Sequence, residues 1–205
     1  MSNKKLIIGL DRQHTGQVGR YIESIGAVKD IDGDGVNEKD EAEAIWTAKY
    51  GLQCEIALRD LGYHPIPLSD GSYKDRADRF NYYAANYEGD AVYIALHCNA
   101  GGGDYSVFFY DYRSTEGKRL AQCIADAMQD ACPVIGGHRI RAARPDDWTK
   151  NAYGTIRNVG APVAICAEPL FLDNERHRRY LTPDGMLLIG TAIAQGIEKW
   201  IQTKS

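Results

Sequence analysis

Residues 90–97 read Asp-Ala-Val-Tyr-Ile-Ala-Leu-His, and this stretch decides the fold. From Ala91 to Leu96 every side chain is apolar or aromatic, without the alternation of a half-solvated strand. An unbroken run of this length marks a strand buried on both faces, as in a parallel sheet covered by helices. His97 then falls at its carboxyl end. In open α/β sheets, ligands bind outside the carboxyl ends of the strands. An imidazole delivered to that edge is therefore a candidate functional group.

The pattern repeats on both sides of this strand. Upstream, Lys5 to Asp11 (KLIIGLD) is a second buried strand, with His14 just beyond its end. Residues 12–40 are polar and Gly-rich, and an excursion of that length is usually functional. Glu43 to Leu61 reads as a helix, with Ile45, Ala48, Leu52, Ile56 and Leu58 at helical spacing and Gly62 as its stop. His64 to Leu68 is a short strand, pushed toward an edge by Pro65 and Pro67. Tyr73 to Tyr87 is a second helix.

Downstream, Tyr105 to Tyr112 is a strand, and Thr115 to Ala131 a helix with Leu120, Ile124 and Met128 on one face. Residues 133–160 read as irregular. Pro162 to Ala167 (PVAICA) is a strand that delivers Glu168. Asn174 to Tyr180 is a short helix, and Gly185 to Gln202 an amphipathic one. Strands alternating with helices of ten or more residues predict an α/β fold with a mainly parallel twisted sheet. Its 205 residues suit a single domain spanning 1–205.

A net charge of −4 leaves no basic excess to neutralise phosphates, which argues against a nucleic-acid partner. The five cysteines include no CxxC pair and read as free, mostly buried thiols from a reducing compartment. No run approaches the ~20 apolar residues of a membrane span. The apolar run after Lys5 is too short for a signal peptide. The expectation is a monomer made in the cytoplasm, acting elsewhere only after release.

His14, Glu43, His97 and Glu168 all fall where an element would bring them to one edge. Two imidazoles and a carboxylate form a catalytic zinc set, and a further carboxylate is the usual general base beside it. Singly, each residue has a plainer reading. A histidine at a strand end is often only hydrogen-bonded, and Glu43 suits the first turn of a helix. Their joint placement favours the metal. The histidines 64, 138 and 177 have no such partners and read as surface residues. Arg76 and Arg79, on one helix with Asn81 and Asn86, either orient substrate or pair with Asp75 and Asp78, and the pairing is the preferred reading.

Residues 30–41 form a second metal signature. Asp30, Asp32 and Asp34 fill positions 1, 3 and 5 of a twelve-residue calcium loop, Gly35 position 6, Val36 the carbonyl position 7, Glu38 position 9 and Glu41 position 12. The alternative is a solvated acidic loop of Asx turns. Calcium there would fix the start of the helix that carries Glu43.

Several of these residues fall in recognisable boxes. Ile7-Ile8-Gly9-Leu10-Asp11-Arg12-Gln13-His14, the helical Glu43 ahead of Leu61-Gly62-Tyr63, Ala95-Leu96-His97-Cys98-Asn99-Ala100 and Glu168-Pro169-Leu170-Phe171-Leu172-Asp173-Asn174 occur in order. In this the chain resembles the zinc-dependent N-acetylmuramoyl-L-alanine amidases of the type-3 group, the catalytic domains of bacterial autolysins and phage endolysins. It departs from them at Gln13, where the family has Gly, and at Ala95, where it has Ser. Glu41 competes with Glu43, and the distance to Gly62 selects Glu43.

The resemblance implies zinc held by His14, Glu43 and His97, with Glu168 as general base. It also implies peptidoglycan as substrate, cut at the amide between N-acetylmuramic acid and L-alanine, and a lytic role as a phage or prophage endolysin. Asn99 and Arg141 are candidates for substrate contact. The basic cluster Arg139, Arg141 and Arg144 would meet stem-peptide carboxylates or line a solvated loop. Competing readings are a zinc peptidase acting within stem peptides, and a calcium-dependent wall-binding module without catalysis.

Overall fold

The computed structural model of the protein describes residues 6–14, 17–18, 21–22, 25–32, 34–38, 42–147 and 149–204, with no side-chain description at 17, 18, 21, 22 and 151. In chain order the elements are β1 (Leu6–Arg12), β2 (Gln17–Val18), β3 (Tyr21–Ile22), α1 (Glu43–Asp60), β4 (Pro65–Leu68), α2 (Tyr73–Ala85) and β5 (Asp90–Leu96). Then follow β6 (Ser106–Asp111), α3 (Thr115–Ala131), β7 (His138–Ala143), α4 (Lys150–Arg157), β8 (Val163–Glu168), α5 (Glu175–Arg178) and α6 (Pro183–Gln202).

Six strands form one sheet in the order β4-β1-β5-β8-β6-β7. The run that decides the fold, β5, lies inside it, parallel to β1 on one side and β8 on the other. β4 is an edge strand parallel to β1, as its two prolines require. β6 runs antiparallel to β8, and β7 follows β6 in parallel. The carboxyl ends of β1, β5 and β8 thus share one edge of the sheet with the amino ends of β6 and β7.

Alternate strand residues feed two cores. Ile8, Leu10, Val92, Ile94, Leu96 and Ile165 pack under α1, α3 and α6. Ile7, Tyr93, Ala95, Val107, Phe109 and Cys166 pack under α2 and α4 with Phe80 and Ile156. Complete burial of each large apolar side chain contributes about 1.5–3 kcal/mol. α6 fits closely between α1 and α3 because Gly190 and Gly196 have no side chain where the helices meet. A Cβ at Gly190 would lie 2.6 Å from the Tyr50 carbonyl oxygen, and one at Gly196 would lie 2.5 Å from Ile124 Cα. The helix starts are set by Ser72, Ser114 and Thr182, whose hydroxyls accept the N–H groups of Asp75, Gly117 and Gly185.

The segment 133–160 is not irregular throughout, since it contains β7 and α4. β7 reads His-Arg-Ile-Arg-Ala-Ala, an edge strand that keeps its charges because only one side of it is paired. α4 is eight residues long and buries Ala152, Tyr153 and Ile156, too short a stripe to register as periodic. Residues 12–40 also hold the small β2–β3 hairpin. Cys54, Cys98, Cys132 and Cys166 are buried free thiols, and Cys123 is half-buried. Among the described residues, no helix is long and apolar enough to cross a membrane.

Candidate active site

The site is built on the edge shared by β1, β5 and β8. β1 hands the chain to β5 one residue past its end, where the Gln13 N–H donates to the Leu96 carbonyl at 3.2 Å. His14 then takes φ +66°, a left-handed conformation that costs a non-glycine residue roughly 1–2 kcal/mol. The turn is held from below. Thr47 Oγ1 donates to the Gln13 carbonyl at 3.0 Å, and the Gln13 amide donates to Asp11 Oδ2.

Asp11 is itself fully buried. Arg76 Nε donates to its Oδ1 at 2.5 Å, and the Tyr93 hydroxyl to its Oδ2. Arg76 also donates to the Gly71 carbonyl at 2.6 Å. Its partner is therefore Asp11, sixty-five positions away, and not the neighbouring Asp75, which instead closes the capping box with Ser72. Lys74, not Arg79, pairs with Asp78.

Glu43 is the first residue of α1 and only 5% exposed. Its Oε1 accepts the Cys98 N–H at 2.9 Å and its Oε2 the Ala27 N–H at 3.2 Å. The same oxygen, Oε1, lies 3.0 Å from His97 Nδ1 and 3.5 Å from His14 Nε2. The two imidazole centroids are 5.1 Å apart and nearly perpendicular. Burial pushes the Glu43 carboxyl up, but His97, His14 and the Cys98 N–H outweigh it and hold the group below its ordinary value. Burial likewise opposes the His97 imidazolium, and the Glu43 carboxylate more than offsets this, so His97 titrates above its ordinary value.

His14, Glu43 and His97 thus offer three ligand atoms within 4.8 Å of one another. Ligands at zinc's preferred distances on tetrahedral corners lie about 3.3 Å apart. The 3.0 and 3.5 Å contacts bracket that spacing, and the donor set of two imidazoles and one ionised carboxylate suits the ion.

Glu168 ends β8 beside this cluster. Asn99 Nδ2 donates to its Oε2 at 2.6 Å. Burial raises its carboxyl to about 7, with His97 opposing and Glu43 adding to the rise. Asn99, a candidate for substrate contact, is also a hydrogen-bond partner of Glu168.

The segments after His97 and Glu168 are clasped together. Asn99 N–H donates to the Leu170 carbonyl at 2.8 Å, and the Leu172 N–H to the Asn99 carbonyl at 2.9 Å. Asp173 accepts the N–H groups of Gly101 and Gly102, and the Asn174 amide donates to the Gly103 carbonyl. His177 completes the clasp. It is fully buried rather than on the surface, accepts the Phe171 N–H at 2.9 Å, and lies 3.1 Å from Asp104. His138 is half-buried against the Cys132 carbonyl, and only His64 is exposed as expected.

Asp30, Asp32 and Asp34 also come together, with oxygens within 4.8 Å of one another. They accept the N–H groups of Gly35, Asp34 and Val36. Val36 is exposed, and Glu41 lies outside the described residues. The base of this loop is tied to the helix of Glu43, with Val28 bridged to Ala42 and the Glu43 N–H donating to the Ala27 carbonyl at 2.8 Å. It is tied to the Glu168 side as well. Arg178 donates to the Asp30 carbonyl at 2.8 Å, and Lys29 lies 3.4 Å from Asp173.

The three arginines do not form one cluster. Arg139 lies at the start of β7, by the catalytic edge. Arg141 is two residues deeper, paired with Phe109, and Arg144 lies past the far end of the strand. A concavity of about 400 Å³ lined by Asp111, Ser114, Ile156 and Pro162 opens at the opposite end of β6 and takes no part in this chemistry.

A family model described as N-acetylmuramoyl-L-alanine amidase matches residues 8–199. The chain belongs to the N-acetylmuramoyl-L-alanine amidases. It is a peptidoglycan amidase of the bond between N-acetylmuramic acid and L-alanine. No curated protein sequence matches this amidase. Its fold is shared with an N-acetylmuramoyl-L-alanine amidase from Clostridium difficile 630, at TM-score 0.73 and 18% identity over 99% of this chain and 100% of that one. It is shared too with the CwlD amidase of Clostridioides difficile, solved in complex with the GerS lipoprotein, at TM-score 0.70 and 18% identity over 97% and 99% of the two chains. The catalytic domain of the CD27L endolysin, which targets Clostridia difficile, matches at TM-score 0.61 and 17% identity over 95% and 97%.

The buried charged pair and the clasp were not read from the sequence. Asp11 had a signal, being a carboxylate at the end of a buried run, where it needs a partner. His177 had none beyond its place six residues past Phe171.

Proposed function

We propose that this amidase is zinc-dependent, with His14, Glu43 and His97 holding the metal and Glu168 as general base and acid. The convergence of the three ligand atoms beside a carboxyl raised to about 7 carries the reading. Zinc bound there would polarise the scissile carbonyl and bring the pKa of a water toward ~7. The chain's own residues do the rest. Glu43 is ionised at neutral pH and held at both oxygens, so it presents a fixed charge. Glu168 exchanges a proton near neutrality, which lets it take one from water and return it to the leaving L-alanine amine. Asn99 fixes the orientation of that carboxylate.

The test compares Glu168→Gln with His97→Ala. The first keeps its zinc and loses at least about a hundredfold in kcat. The second loses the metal. Loss of zinc from Glu168→Gln would instead place Glu168 among the ligands.

The loop of Asp30, Asp32 and Asp34 is proposed as a calcium site, supported by the convergence of its three carboxylates and its ties to Glu43 and Asp173. A calcium-selective chelator should lower both melting temperature and activity, and no change in either contradicts the site. The physiological reading is a monomeric phage or prophage endolysin, made in the cytoplasm and acting on the wall after release during host lysis. The likeness to an endolysin catalytic domain supports it. Lysis of susceptible cells on co-expression with a membrane-permeabilising protein, and not without it, tests it.

A further inference from the structure

Val107 on β6 pairs with Glu168 of β8 on one side and with Arg139 of β7 on the other. Residues paired in register project from the same face of a sheet, so Glu168, Val107 and Arg139 form one row across the catalytic edge. Two strand spacings separate the ends of the row, about 10 Å. Tyr105 stands on the same face, two residues before Val107. Its ring is 4.9 Å from Phe171, and the Arg139 guanidinium carbon lies 4.1 Å from its centroid. Arg139 is exposed. Arg113, Arg119 and Arg176 each pair with a carboxylate, whereas Arg139 forms no ion pair among the described residues. A guanidinium without an ion pair among the described residues, propped on an aromatic ring in the same row as Glu168, is built to take an anion from outside the chain.

The substrate limits what that anion can be. The lactyl carboxyl of the muramic acid is consumed in the scissile amide, so the acyl side offers no carboxylate there. The peptide side does. An extended peptide advances about 3.3–3.6 Å per residue, so 10 Å covers roughly three residues beyond the bond that Glu168 acts on. We propose that Arg139, seated on Tyr105, determines specificity by binding a carboxylate of the stem peptide on the leaving-group side. The planar guanidinium suits a bidentate carboxylate and keeps its charge at any working pH. The proposal rests on the reading of Glu168 as the catalytic acid and base.

The experiment uses two synthetic muramyl peptides of one sequence, the first with its peptide carboxylates free and the second with every one of them amidated. The natural chain prefers the acid peptide by about tenfold or more in kcat/KM, mostly through KM, since a charge-assisted hydrogen bond is worth at least that ratio. Salt weakens the preference. Arg139→Gln brings the ratio of acid to amidated substrate to about one, and Arg139→Lys restores part of it. A preference that survives in Arg139→Gln, or one absent from the natural chain, overturns the proposal. Failure of the natural chain to hydrolyse either peptide overturns the catalytic reading and the proposal with it.

Discussion

Asn99 Nδ2 lies 2.6 Å from Glu168 Oε2, so the residue two positions past one imidazole of the site holds the carboxylate that ends the neighbouring strand. His97 and Asn99 leave β5 together, and Glu168 leaves β8. The main-chain bonds from Asn99 to Leu170 and Leu172 keep the two segments in register. The proposed metal ligand and the proposed general base are thereby fixed to each other by one short loop pair.

Asn99→Ala removes this link without touching a proposed ligand. The expected result is a fall in kcat of about ten- to a hundredfold, with zinc content unchanged. Steady-state kinetics and metal analysis of the same preparation check it. Unchanged kcat would leave Asn99 without a role in orienting Glu168.

The Glu168 carboxyl is raised from 4.5 to about 7 by burial. For an acid with a raised folded-state pKa, the stability contribution is fully present below the unfolded value and is lost as pH rises through the folded one. Metal-stripped protein should therefore lose stability between about pH 4.5 and 7 relative to Glu168→Gln. Denaturant titrations across that window check the sign. A bound cation favours the carboxylate and pulls its pKa down, so zinc affinity should rise with pH over the same range.

Asp11 and Arg76 are a fully buried pair. Asp11→Ala leaves the guanidinium buried without its charge partner and should cost about 3–5 kcal/mol. Melting would fall by about 10 °C at this chain length. Gln13→Leu keeps the pair and the two backbone bonds of Gln13, and removes only the side-chain bond from the His14 turn to Asp11, so it should weaken zinc binding more than it lowers melting.

Gly26 has φ +79°, and a Cβ there would sit 2.5 Å from Glu43 Oε2. Gly26→Ala should cost about 1–2 kcal/mol in backbone strain and displace the carboxylate. About a tenfold loss of zinc affinity in chelator competition is expected.

Much of the fold was legible because its central strands are unbroken apolar runs. DAVYIAL, KLIIGLD and PVAICA announce themselves, and each ends near a residue of the site. β7 was not legible, since an edge strand carrying Arg139 and Arg141 looks like a polar loop until its neighbour is known. The reversal of β6 against β8 was equally hidden, because strand direction is set by the connection and leaves no mark on composition. His14, Glu43, His97 and Glu168 could be found by their positions at element ends. The Asp11–Arg76 pair, the His177–Asp104 contact and the separation of Arg139 from Arg144 are long-range facts, and single-sequence patterns hold no record of who meets whom.

The most direct test is metal content of the purified protein together with the masses of the products from digested peptidoglycan. The account predicts roughly one zinc per chain and free stem peptides that begin with L-alanine, both lost in His97→Ala. Peptides cut internally, or full hydrolysis by protein free of zinc, would contradict it.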